Sequence, residues 1–178
     1  ARGIATVHHD PRLSGRRTTN CLGDANKLVL VGNSSGGHLL SLLALNHRWL
    51  DALGVSPRAI KAVVDVSGVP TLCSPLWPPF RWLLLVCLLG FDNTAASQLS
   101  PLVHAAARTR RRAAMRAACA TSDDAAGHAA VVPPLAPFWY LLVAQYELPS
   151  LRALSRAFGA ELERGGCAVT HLEVPRRL

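Results

Sequence analysis

The segment Gly32-Asn33-Ser34-Ser35-Gly36 constrains this chain most. It follows the apolar run Leu28-Val29-Leu30-Val31 and precedes leucines at positions 39, 40, 42, 43, 45 and 50. Unbroken apolar character with β-branching predicts a central strand of a parallel sheet, covered on both faces. The leucine spacing predicts a helix from Gly37 to Leu50, with Asp51 and Gly54 marking its exit. A strand that turns directly into a helix leaves little room for side chains at the turn. Gly32 and Gly36 are expected to relieve that crowding, and Gly37 adds freedom. The turn pushes the Ser34 hydroxyl outward, near the positive end of the helix. The Ser35 amide then points where an oxyanion would form.

The same rhythm continues along the chain. Ile4 to Val7, Ile60 to Val66, Phe138 to Val143 and Ala168 to Val174 are further strand candidates. Helices are predicted from Phe80 to Leu89, from Ser100-Pro101 to Ala120, and from Leu151 to about Arg164. Pro101 and Pro149 suit helix starts, and Gly165-Gly166 suits a stop. His8 to Asn26, the proline-rich segment 69–79, the turn at 90–93 and the stretch 121–137 read as loops or linkers. Strands alternating with long helices predict an α/β fold with a mostly parallel sheet flanked by helices.

The chain has 178 residues, 50% of them hydrophobic, enough for one domain with a core. The formal net charge of +8 comes mainly from arginine, with a cluster at Arg108, Arg110, Arg111, Arg112 and Arg116. No recognition-helix, zinc-finger or aromatic pattern accompanies it, so it reads as a solvated helix face and no nucleic acid is expected. The five cysteines include no CxxC pair. Their odd number argues against a disulfide framework and for a reducing, cytoplasmic compartment. The apolar run from Phe80 to Phe91 is too short to span a membrane. No histidine and acid spacing suits a metal, and His8-His9-Asp10 reads as a polar loop. The glycine-rich turn lacks the lysine of a phosphate-binding loop and the pattern of a dinucleotide fold, so no cofactor is expected.

Lys27 to Leu45, KLVLVGNSSGGHLLSLLAL, resembles the nucleophile block of the carboxylesterase and hormone-sensitive-lipase-like branch of the α/β-hydrolases. That branch includes kynurenine formamidase-like and isoprenylcysteine methylesterase-like enzymes. Their block commonly reads G-H-S-A-G-G-H, so Asn33 and Ser35 depart at variable positions. Arg2 to Ser14 is similar to the upstream "DYRL" segment. Ile60 to Leu72, IKAVVDVSGVPTL, is similar to the next strand and its end, with Thr71 replacing an aspartate. Gln145 to Phe158, QYELPSLRALSRAF, is similar to the acid-bearing block of formamidase-like members.

The resemblance implies a partial α/β-hydrolase fold spanning 1–178 as one incomplete domain. Segment 69–93 is then a cap or pocket-lining insertion. It implies a serine esterase with Ser34 as nucleophile, Glu147 as acid and Ser35 as oxyanion donor, acting on a small ester or amide. Glu147 also stands on its own position, just past the C-terminal end of a predicted strand.

The histidine is missing from its expected place. Chain order should run serine, acid, histidine. Only His171 follows Glu147, and it falls inside the last predicted strand. His38 reads as a structural or pocket-lining residue, and His8 and His9 precede the serine. No glycine-rich oxyanion loop lies before the first block. The chain is therefore expected to be a fragment of a hydrolase, weakly active or inactive. The alternative is a catalytically inactive interaction module of the same fold. The sequence leaves the oligomeric state open.

Overall fold

The computed structural model describes residues 24, 26–73, 92–120, 137–145 and 147–175. The expected strand at Ile4 to Val7 and the expected helix at Phe80 to Leu89 lie outside these residues, as do His8, His9 and Asp10. Within them, β1 (Leu28–Asn33) leads into α1 (Ser35–Leu45) and a short α2 (Arg48–Asp51). β2 spans Ile60–Val66. Helices α3 (Asn93–Gln98) and α4 (Pro101–Ala120) follow, then β3 (Phe138–Ala144), α5 (Pro149–Arg164) and β4 (Val169–Val174).

The predicted helix from 37 to 50 is divided. It starts at Ser35 and breaks at Asn46, whose backbone is extended at φ −116°, ψ 95°. The His47 ring donates from Nε2 to the Ala44 carbonyl at 3.0 Å and closes the break. The short α2 then buries Leu50 completely in the core. Helix α3 is an addition to the expected elements. Its signal was Asp92, whose carboxylate caps the amides of Thr94 and Ala95 at 2.8 and 3.0 Å.

The four described strands form one parallel sheet in the order β1-β2-β3-β4. Register places Gly32, Asp65, Leu141 and His171 side by side across it. Neighbours in register share a face of the sheet. Helix α1 packs on β1 and β2, α5 packs on β3 and β4, and α4 contacts both helices. All three helices therefore cover the Asp65 face. Below them lies a core of Leu30, Val63, Trp139, Leu141, Phe158 and Leu162. The Trp139 and Phe158 rings meet edge to face, 5.7 Å apart.

The opposite face departs from expectation. β1 was expected to be covered on both sides, yet Val29 and Val31 are 59% and 66% exposed. Phe138, Leu172 and Val174 on the same face are also exposed. The arginine cluster on α4 is mostly exposed, as a solvated face should be. Arg112 differs, because it turns inward and donates to the Gly165 carbonyl at 3.1 Å. Among the described residues no helix is long and apolar enough to cross a membrane.

The two faces should respond differently to truncation. Phe158→Ala is expected to cost about 3–5 kcal/mol, because it opens a cavity against Trp139. Phe138→Ala, on the open face, should stay within about 0.5 kcal/mol of the parent. Urea denaturation measures both, and equal losses would contradict the core described on the Asp65 face.

Candidate active site

The turn between β1 and α1 holds a residue in a rare conformation. Ser34 has φ 53° and ψ −119°, in a region that residues with a Cβ seldom enter. Such strain persists only where the surroundings impose it. The Ser34 amide donates to the Val66 carbonyl of β2 at 2.8 Å. Its own carbonyl accepts from the His38 amide at 3.1 Å. The side chain makes no capping hydrogen bond and is exposed. The hydroxyl is thus left facing solvent at the C-terminal edge of the sheet. Ser35 is the first residue of α1, where backbone amides have no partner within the helix.

Two glycines make the turn possible, but not the expected two. A Cβ at Gly32 would lie 2.6–2.8 Å from the backbone of Gly36 and Gly37. Gly36 itself has open space around its missing Cβ among the described residues. Gly37 is the crowded one, with the Asp65 Oδ1 2.2 Å from where a Cβ would sit. The difference is one of direction: Gly37 faces the sheet and Gly36 does not.

Asp65 is the part of this site that sequence reading missed. It lies in β2 with only 5% exposure, beneath the first turns of α1. Its Oδ2 accepts from the Ser41 hydroxyl at 3.0 Å, and its Oδ1 accepts from the Gly68 amide at 2.8 Å. Burial pushes its carboxyl above the usual aspartate range. The hydrogen bonds from Ser41 and Gly68 and the nearby His38 oppose that shift. The available signal was a lone acid in the apolar strand IKAVVDV.

The segment after β2 is tied to the same helix. Ser67 is left-handed at φ 50°, and its amide donates to Leu142 at 2.7 Å. His38 donates from Nδ1 to the Val69 carbonyl at 2.6 Å. Thr71, which stands where the resembled family has an aspartate, is buried. It pairs with Ser100 at 3.4 Å, and the Ser100 hydroxyl also accepts from the Leu72 amide and donates to Ala96. These hydroxyl bonds tie the segment after β2 to the start of α4.

Glu147 follows β3 at the same edge of the sheet as Ser34. Its amide donates to Ala144 at 3.0 Å, and its half-buried carboxylate makes no hydrogen bond or ion pair among the described residues. Two strand spacings, about 10 Å, separate the ends of β1 and β3. His171 is elsewhere. It lies three strands from β1, about 14 Å across the sheet. Its Nε2 is 3.2 Å from the Ser155 hydroxyl of α5. A serine and histidine in contact have the chemistry of hydroxyl activation. Ser155 is only 6% exposed between helix and sheet, so a substrate carbonyl cannot reach it. Among the described residues no histidine bonds to Ser34, and no group of acids, cysteines and histidines could hold a metal.

Beside His171, Glu173 receives both Arg152 and Arg156. These arginines hold its carboxyl below the usual range. They dock α5 onto the edge strand.

No family model matches the sequence, and no curated protein matches it. Solved structures do match the fold. A carboxyl esterase from the mycorrhizal fungus Tuber melanosporum is similar at 17% identity and a TM-score of 0.55, covering 86% of this chain and 45% of its own. An acetyl ester-xyloside bifunctional hydrolase from Caldicellulosiruptor lactoaceticus is similar at 19% identity and a TM-score of 0.60, covering 99% of this chain and 53% of its own. The chain carries part of an α/β-hydrolase-like fold. Esterase B from Lactobacillus rhamnosis aligns comparably, at 19% identity and a TM-score of 0.52. The chain spans about half the length of these structures. In this fold Ser34, at φ 53°, is the single residue between the end of β1 and the start of α1.

Two measurements follow from the Asp65 cradle. Gly37→Ala is expected to cost about 1–3 kcal/mol by overpacking against the carboxylate, whereas Gly36→Ala should be tolerated. Equal effects in thermal unfolding would contradict the cradle. The pH dependence has a definite sign. A carboxyl raised by folding favours the folded state while protonated, and that contribution is lost as pH rises through the raised value. Asp65→Asn should therefore gain stability relative to the parent as pH rises from about 4, and then level off. A difference that stays constant with pH would contradict the burial of a titrating carboxyl.

Proposed function

We propose that this chain carries the nucleophile and acid of a serine-dependent carboxylic ester hydrolase. The observation that carries the reading is the left-handed Ser34 on the turn from β1 to α1. In this reading the Ser34 Oγ attacks the carbonyl carbon of a small ester or amide. The carbonyl oxygen takes up the negative charge, and the Ser35 amide donates to it. A base takes the Oγ proton and returns it to the departing alcohol or amine, so collapse leaves an acyl group on Ser34, which water then removes as the carboxylic acid. Glu147 orients the histidine that serves as base.

Among the described residues no histidine ring is hydrogen-bonded to Ser34, and none is assigned as that base. In this reading segment 69–93 is a cap or pocket-lining insertion, supported at its start by the hydrogen bond from His38 of α1 to the Val69 carbonyl. A formamidase-like or methylesterase-like substrate rests on sequence resemblance alone.

A second reading is a catalytically inactive module of the same fold. It is favoured by the His38 ring, the described imidazole nearest in sequence to Ser34, being turned to the Val69 carbonyl instead. Fluorophosphonate labelling separates the two. The parent chain should label and Ser34→Ala should not, and Glu147→Gln should slow labelling by about 10-fold or more. Equal labelling of the parent and Ser34→Ala would remove Ser34 as nucleophile. A parent that never labels would favour the inactive module.

A further inference from the structure

We infer that Asp65 is the positioning residue of the elbow, a buried carboxylate that holds Ser34 in its left-handed conformation through Ser41, Gly37 and Gly68. The inference rests on the proposed role of Ser34 for its link to catalysis, but not for its structural content.

The geometry is closed on every side. One carboxylate oxygen accepts from Ser41, two turns into α1. The other accepts from the Gly68 amide, just past the end of β2. Missing side chains complete the cradle. A Cβ at Gly37 would sit 2.2 Å from Oδ1, and one at Gly68 would sit 2.1 Å from it. Glycine at both positions lets two backbone segments close on a single carboxylate. Those segments are the ones that follow the two left-handed serines, Ser34 and Ser67.

Each strained serine is also locked by its own amide. Ser34 donates to Val66, and Ser67 donates to Leu142. Asp65 sits in β2 directly before the residue that receives the Ser34 amide. A shift of the carboxylate therefore moves both the helix that follows Ser34 and the strand end that holds it. Small errors in such placement can reduce reactivity on the order of 100-fold.

Asp65 is not an acid of the catalytic set. Both of its oxygens are engaged and it is 5% exposed, facing α1 rather than the open edge. The groups that face it are His38 and Ser41 from α1 and the Gly68 amide from its own strand end. The bonds need an acceptor at Oδ1 and a polar partner for the Ser41 hydroxyl, but no charge. Asparagine can supply both, with its amide donating to the Ser41 oxygen. Alanine can supply neither.

Amide hydrogen exchange, read beside fluorophosphonate labelling, tests this on the full chain. In Asp65→Ala, exchange at Ser34 and Ser67 should accelerate at least ~10-fold more than at Val63 and Leu141 in the sheet centre. Labelling of Ser34 should fall by about 10–100-fold, mainly in the maximal rate rather than in half-saturating probe concentration. Asp65→Asn should restore both to within about 3-fold of the parent. If Asp65→Ala does not fold, Ser41→Ala removes one bond and keeps the other, and should show the same pattern with smaller size. Unchanged exchange at Ser34 and Ser67 in a folded variant would overturn the inference. So would acceleration spread evenly over the sheet, which marks general destabilisation. A parent chain that fails to label defeats the proposed function alone, because the exchange pattern still judges Asp65.

Discussion

The close approach of two backbones at the end of β1 is the constraint on which the rest of the structure depends. The strand must reverse into α1 within a single residue, and that residue is Ser34. Gly32 makes room for the Gly36 and Gly37 backbone at distances where no Cβ fits. Once the chain has turned there, α1 lies on β1 and β2 and covers Asp65. The remaining helices extend the same layer. Helix α4 fills the gap beside α1, and α5 seats Phe158 on Trp139. The strain at Ser34 is thus held by packing that runs through the whole covered face. Hydrophobic burial supplies the driving force, and hydrogen bonds to Val66 and Asp65 fix the geometry.

Much of this was legible in the sequence because it rests on local patterns. The runs Leu28 to Val31 and Ile60 to Val66 are apolar and β-branched, and they are strands. Pro101 and Pro149 sit at the first helical position, where their fixed φ suits the helix. The G-x-S-x-G spacing located the strained turn. Helix α3 was hidden because a short polar segment has little periodicity, and only its Asp92 cap gave a sign. The break at Asn46 was hidden because the leucines continue on both sides of it.

What was not legible depends on contacts between distant segments. Asp65 lies 24 residues from Ser41, and no spacing rule joins a strand acid to a helix serine. The roles of Gly36 and Gly37 could not be separated without knowing which faces the sheet. The open face of β1 could not be read from its composition, because an apolar strand looks the same whether one side or both are covered. Ser155 and His171 show the converse hazard. They meet as closely as a catalytic pair, but burial between α5 and β4 makes their contact a feature of packing. Glu147 follows the end of β3, a position the sequence can indicate, whereas its role as an acid belongs to the proposed function.

The central claim is that Ser34 is held against its own backbone preference. A comparison of Ser34→Gly with Ser34→Ala tests it directly, because both remove the hydroxyl and differ only in the Cβ. Glycine tolerates this region of backbone space and alanine does not. Urea denaturation should find Ser34→Gly more stable than Ser34→Ala by about 1–2 kcal/mol, even though glycine normally loses more entropy on folding. Equal stability, or a more stable alanine variant, would contradict the strained elbow and the reading built on it.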